Sequence, residues 1–398
     1  MEYLEIREFG EIITGKTPKT DVLEYWGGDT PFITPTDIPS FDTKYLHSTE
    51  RTISELGVTK QKNTLLPADT LCVSCIATIG KMCLTRKPSV TNQQINSIKV
   101  NDRFNPHYLL YLFRYYLPYL QLIGGGTGSG TPIISKGKFS KLKYPVHQDL
   151  EIQNKIAEFL STYDELIENN NKRIKLLKQM AENLYKEWFV RFRFPGYENA
   201  EFENGIPVGW KVKRLGDELT IKRGGSPRPI QDYIIENGLK WLKISDATKT
   251  DNPFIFNIEE SIKEEGLKKT VYRKAGSLVL SNSATPGLPR ILALDTCIHD
   301  GWLYFENQKL SNEFLFLFFN HIHPQLVNKG NGAVFTNLKT DILKKYSFVR
   351  PADDILSQFD AIVQPLFKQI YSITQQNNNL IKQRDLLLPR LMSGKLEV

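Results

Sequence analysis

The sequence predicts an α+β fold: two similar globular domains of mixed helix and strand, joined by two long helices that pair as an antiparallel coiled coil in a pseudo-twofold internal repeat. Three observations lead there. Residues Asp149–Phe192 contain neither Pro nor Gly and space their apolar residues as a helix does. A second stretch with the same helical spacing of apolar residues, 355–391, lies near the end of the chain. Short motifs recur about two hundred residues apart, the mark of an internal duplication.

In the first stretch Ile152, Ile156, Phe159, Tyr163 and Leu166 follow a 4-3-4-3 rhythm. Ile174, Leu177, Ala181, Leu184 and Trp188 resume it after a polar interruption at Asn169, Asn170 and Asn171. This rhythm is a coiled-coil seam. A helix of that length spans roughly 60 Å at 1.5 Å per residue, more than a domain needs to cover its own core. Its partner is the second stretch, with Ile355, Phe359, Ile362, Leu366, Ile370, Ile373, Leu380, Leu387 and Leu391 and an Asn run at Asn377–Asn379. Pro365 predicts a kink there, and Pro389 and Gly394 mark its end.

The globular segments repeat as well. Phe32 answers Trp241 and Asp37 answers Asp246, both at an offset of 209. Thr78-Ile79-Gly80 answers Thr285-Pro286-Gly287 at 207, and Leu176 answers Leu380 at 204. Each segment then has an aromatic helix (Tyr108–Tyr119 and Phe314–Phe319), assigned to core, and a glycine-rich loop (Gly124–Thr131 and Lys329–Ala333). No Gly-Lys-Ser/Thr follows either loop, so neither is a nucleotide-binding P-loop. A flexible turn and a contact to a nucleic-acid backbone both remain open for them. The boundaries follow: a first globular domain at 1–147, the first helix at 148–194, a Gly, Pro and Asn-rich linker at 195–210, a second domain at 211–350, and the second helix with its tail at 351–398.

Composition limits the function classes. A hydrophobic content of 40% in 398 residues fits globular domains, not disorder. No run of eighteen apolar residues occurs, and the opening MEYLEIREFG lacks the basic and apolar regions of a signal peptide, so a cytoplasmic location is expected. The net charge of +7 is spread evenly, with 25 Lys and Arg against 22 acids in residues 1–199 and 26 against 22 in residues 200–398. That balance suggests a shaped binding surface rather than a basic arm. Cys72 and Cys75 form a Cys-x-x-Cys with no second pair and are expected as core thiols, not a zinc site. His321 and His323 are expected in a loop.

No catalytic set converges. Asn105-Pro106-His107-Tyr108 resembles the Asn-Pro-Pro-Tyr motif of amino-methyltransferases, but His replaces the second Pro and the motif stands where a helix cap belongs. His299-Asp300 sits at a strand end without a nucleophile nearby in sequence and is assigned a structural role. Metal and nuclease clusters are not found.

Three further features complete a resemblance. They are the Pro207-x-Gly209-Trp210 entry to the second domain, the strand and Ser/Thr-rich loop Gly276–Ser283, and the ending Leu387-Leu388-Pro389-Arg390-Leu391-Met392-Ser393-Gly394. With the duplicated layout, the whole chain resembles the specificity subunits of type I restriction-modification systems. The first domain has no Pro-x-Gly-Trp, so its N-terminal strand is expected to be shorter or completed by the C-terminal tail.

The resemblance implies a non-catalytic DNA reader. Each target-recognition domain would read half of a bipartite double-stranded site, and the helices would set the spacing; half-sites one turn apart lie roughly 34–36 Å from each other. It implies two modification subunits, which are adenine methyltransferases, and restriction subunits as partners, and no membrane. No cofactor is expected in this chain; S-adenosylmethionine, ATP and Mg belong to the partner subunits. Trp188 and Phe189 are expected to face such a partner. The expected DNA contacts are Lys16, Lys19, Thr78, Lys81, Asn92, Gln93 and Ser129 in the first domain and Arg223, Arg228, Asn282, Ser283, Arg290, Asn331 and Asn337 in the second. Arg suits guanine and Asn or Gln adenine, while Lys and Ser more often hold phosphate. The competing readings are a stand-alone DNA-binding or coiled-coil adaptor protein without methyltransferase partners and, third, a methyltransferase using Asn105–Tyr108.

Overall fold

The computed structural model describes residues 1–46, 48–125, 130–328 and 337–397. The chain forms two compact units, Met1–Asn170 with Gln376–Val398, and Asn171–Gln375. Each long helix, Leu150–Tyr185 and Asp353–Met392, contributes one part to each unit.

The first unit holds an antiparallel four-stranded sheet in the order Gly10–Thr14, Ile95–Val100, Leu71–Ser74, Met82–Leu84. A three-stranded sheet places Trp26–Ile33 between Arg51–Ile53 and Val90–Thr91. The second unit repeats both and extends them. Thr220–Arg223, Trp302–Glu306, Leu278–Ser281 and Pro289–Leu292 keep the first order and add Phe254–Ile255 at the edge. Ser261–Ile262, Leu239–Leu242 and Thr296–Ile298 keep the second, flanked by Ile234–Ile235 and Val271–Arg273. Residues of the central strands such as Leu71, Val73, Leu278 and Leu280 are fully or almost fully buried, so these strands read as continuous apolar runs.

The first unit has its entry strand after all. Glu2–Glu5 pairs with Lys143–Val146 just as Lys211–Arg214 pairs with Ser347–Arg350, four residues in each case. The end of the second long helix adds Leu391 and Met392 to the core beneath, and Leu396 of the tail packs against them, not on the strand.

The aromatic helices Pro106–Tyr115 and Asn312–Asn328 are core elements, with Tyr108 to Phe113 and Phe314 to Phe319 buried. The Asn105 side chain accepts the amides of His107 and Tyr108, which is helix capping. His321 and His323 lie on the second of these helices, not in a loop, because the apolar period runs on through Ile322 and Leu326.

The seam differs from the expected one in an instructive way. Asp149 caps the first helix, and Gln153, Ile156, Leu160, Tyr163, Ile167, Asn170, Ile174, Leu177, Ala181, Leu184 and Trp188 are buried or half-buried in strict 3-4 alternation. On the second helix Phe359, Val363, Leu366, Ile370, Ile373, Asn377, Leu380, Arg384, Leu387 and Leu391 do the same. Phe159 and Leu166 are therefore off the seam, 41% and 47% exposed, as is Ile362 at 46%. Ile152 and Ile355 pack on its flank. The seam includes polar residues, so its line through the chain does not follow the most apolar residue of each turn and is not interrupted at the asparagines. Asn170 is in register: its amide donates to Asn377 at 2.8 Å, a buried polar pair of the kind that fixes coiled-coil register. The second helix continues past Pro365 and Pro389 to Met392.

Trp188 and Phe189 face inward. They pack on Phe359 with ring centroids 5.6 and 4.7 Å away, so the expectation that they meet a partner is corrected. Their turn, Lys186–Val190, is a π-helical end that rotates both rings into the core of the second unit.

Candidate nucleic-acid interface

Three loops meet at one edge of the sheets in each unit, held by the same backbone hydrogen bonds. In the first unit the chain after Gly10–Thr14 crosses the end of Val90–Thr91: Gly15 N–H donates to Ile95 O (3.1 Å) and Lys16 N–H to Thr91 O (2.9 Å). In the second, Gly224 N–H donates to Trp302 O (2.8 Å) and Gly225 N–H to Ile298 O (3.3 Å). Side chains close both crossings, Thr17 hydroxyl to Gln93 Oε1 at 2.6 Å and Ser226 hydroxyl to Asp300 Oδ1 at 2.7 Å.

The neighbouring loop, Ser74–Lys81 or Ser281–Leu288, is organised by its serine. Ser74 Oγ donates to Thr78 O and accepts Lys81 N–H; Ser281 Oγ donates to Thr285 O and accepts Leu288 N–H. Ala77 and Ala284 both adopt left-handed φ, 62° and 57°. The third element follows each glycine-rich segment: Ile134 N–H donates to Cys75 O (2.8 Å) and Leu338 N–H to Asn282 O (2.6 Å).

The crossing requires glycine. A Cβ on Gly15 would lie 2.3 Å from the carbonyl oxygens of Thr91 and Asn92, and one on Gly224 would lie 2.2 Å from His299 O. Backbone oxygens cannot swing aside as a flexible side chain does. Gly15→Ala is expected to cost about 1–3 kcal/mol, by pushing Lys16 and Thr17 out of the crossing. Thermal melts check this; an unchanged melting temperature would contradict it.

The expected contact residues divide. Lys16, Lys19, Thr78, Gln93, Arg223, Arg228 and Asn337 are exposed around these loops and Ser283 is half-buried there, bridged to Asn337. Four others are corrected, because their polar atoms face inward. Lys81 donates its ammonium to Pro35 O and Ile38 O at 3.1 and 2.6 Å. Asn92 is buried and folds onto Gln94 through both the side chain and the amide of Gln94. Asn282 is buried and donates to Asp300 O at 3.1 Å. Arg290 is buried with its guanidinium on the carbonyls of Ala247, Thr250 and Pro289. These four hold the loops in place. Ser129 and Asn331 lie outside the described residues, with the rest of 126–129 and 329–336.

One pair was missed. His299-Asp300 is the counterpart of Asn92-Gln93 at an offset of 207, the same offset as the serine loops. Asp300 collects Arg223, whose Nε donates to its carbonyl at 2.5 Å, and Arg228, whose terminal nitrogen lies 3.1 Å from Oδ2. The Ser226 hydroxyl, and after it the two arginines, hold the Asp300 carboxyl below the usual range, so it stands as a carboxylate. Beside it opens a cleft of about 780 Å³ lined by Pro227, Arg228, Gln231, Trp241, Lys243, Glu260 and His299 among others. Among the described residues no group of three or more His, Cys, Asp and Glu is placed to hold a metal ion.

The chain matches the family model for the type I restriction modification DNA specificity domain twice, over residues 1–179 and 207–383. It is 31% identical to the type I restriction enzyme MjaIX specificity subunit of Methanocaldococcus jannaschii, over 99% of this chain and 93% of that protein. It is 32% identical to the HindI specificity subunit of Haemophilus influenzae, over 45% of this chain and 39% of that one. In fold it is similar to the S subunit of a type I restriction-modification system from M. genitalium, with a TM-score of 0.61 at 13% identity, covering 98% and 95% of the two chains. Two copies of the specificity domain, repeated loop faces and full-length similarity to a specificity subunit lead to one conclusion: this chain belongs to the type I restriction-modification specificity family, the non-catalytic DNA-recognition components of those systems.

Proposed function

We propose that each unit reads one half of a bipartite duplex site through its three-loop edge, and that the paired helices set the gap between the halves. Two modification subunits dock on the repeats, followed by restriction subunits, and the assembly works in the cytoplasm. The chain itself takes no cofactor; S-adenosylmethionine, ATP and Mg serve the partners. The observation that carries this reading is the duplicated loop edge. Its backbone hydrogen bonds are the same in both units while the side chains it presents differ, as expected of two heads with one scaffold and different targets.

Selection on random duplex DNA, with the methyltransferase present, tests it. Two defined segments separated by a fixed undefined gap are expected. A seven-residue insertion in both helices keeps the seam in register and adds about 10.5 Å, so the gap should grow by about three base pairs with both segments unchanged. Altered segments at the old gap would overturn the assignment of spacing to the helices.

A further inference from the structure

The two loop edges differ most at one point. Where the first unit closes its crossing with the neutral pair Thr17–Gln93, the second places a carboxylate between two arginines. Resting on the reading of this edge as a DNA-contacting surface, we infer that Asp300 is a positioning residue that aims Arg228, and with it Arg223, at a guanine in the half-site read by the second unit.

Arg223 and Arg228 are 55% and 77% exposed, so neither is held by packing. A free arginine side chain carries about 2 kcal/mol of rotamer entropy, which ordering on DNA must overcome. Asp300 removes part of that freedom beforehand. It is itself fixed three ways, by the Ser226 hydroxyl on its carboxylate and by the Asn282 amide and Arg223 Nε on its carbonyl. Arg228 gives Asp300 one of the five N–H groups of a guanidinium, and the remainder suffice for the bidentate contact to guanine O6 and N7.

A carboxylate at a DNA-facing edge also repels phosphate. It weakens binding to every sequence, so its benefit lies in discrimination rather than affinity. That gives the inference a signature which a structural aspartate lacks: affinity and specificity move in opposite directions when the charge is removed.

The test uses the full chain with its methyltransferase subunits and random duplex DNA. The wild type should select a G·C pair that Arg228→Ala makes indifferent. Asp300→Asn should lower discrimination at that same pair by on the order of ten-fold or more, while binding to unrelated duplex holds or tightens. Asp300→Glu should restore part of the preference. Loss of affinity for all sequences alike in Asp300→Asn, or Arg228→Ala and Asp300→Asn acting on different pairs, would overturn the inference. A wild type that selects no two-part sequence would remove the parent reading, and this one with it.

Discussion

Replacing Asp164 with alanine is expected to destabilise the first unit by about 3–5 kcal/mol. The carboxylate sits on the first long helix beneath the aromatic helix, with Arg114 2.8 Å from one oxygen and Arg384, from the second long helix, 2.7 Å from the other. Tyr111 donates its hydroxyl to the same group at 2.8 Å. All three charged side chains are almost fully buried, so solvent screens them little. Removing the anion leaves Arg114, among the described residues, with only the Asp42 carbonyl, and leaves Arg384 with the more exposed carboxylates of Asp385 and Asp42, at 2.8 and 3.3 Å. Hydrogen exchange should show the loosening concentrated in residues 1–170 and 376–397. A loss below 1 kcal/mol in denaturant titration would mean that the cluster is solvated. The pH dependence follows. Burial alone would raise the Asp164 carboxyl, but Arg114 and Arg384 outweigh it and hold it below the ordinary value. Its contribution is therefore complete above the unfolded-chain value of about 3.9 and is lost as pH falls through the lower folded-state value. Asp164→Asn should flatten that acid limb.

Phe359→Ala is expected to cost about 3–5 kcal/mol in the second unit. The ring is fully buried where both long helices meet the aromatic helix, with Trp188, Phe189, Tyr185 and Phe314 all within 6.3 Å of it, centroid to centroid. The four rings that remain are interlocked and cannot close over the space, so the cavity persists. Exchange should rise in residues 171–375, the reverse of the Asp164 pattern. Ile362→Ala, three residues along and exposed, serves as the control and should change stability by less than about 0.5 kcal/mol.

The comparison of Phe359 with Ile362 also shows where sequence reasoning stopped short. Both are large, apolar and spaced for a helix, and nothing local separates a seam residue from one facing outward. Tracing the most apolar residue per turn put Phe159 and Ile362 on the seam and left Gln153, Asn170, Asn377 and Arg384 off it. Burial is a property of what lies opposite, and the partner helix is some two hundred residues away in the chain. The loops repeat the lesson. Asn92, Asn282 and Arg290 look like DNA contacts because they are polar and near the right glycines. The carbonyls that turn them inward come from other segments, as Ala247 does for Arg290. Asp300 looked structural because Ser226, Arg228 and Arg223 stand 72 to 77 residues before it.

What the sequence determined by itself was the duplication and everything that follows from backbone periodicity. This comprises two mixed domains, two long helices without an internal glycine, aromatic helices in the cores, and matched loops at offsets of 207 and 209. These survive because a repeated backbone hydrogen-bond pattern tolerates changes in the side chains it displays. Which side chains point outward, which polar groups are paired in the interior, and which carboxylate holds two arginines were decided only by tertiary structure. Each depends on atoms brought together from distant parts of the chain, and their competition for the same donors and acceptors has no counterpart in local sequence.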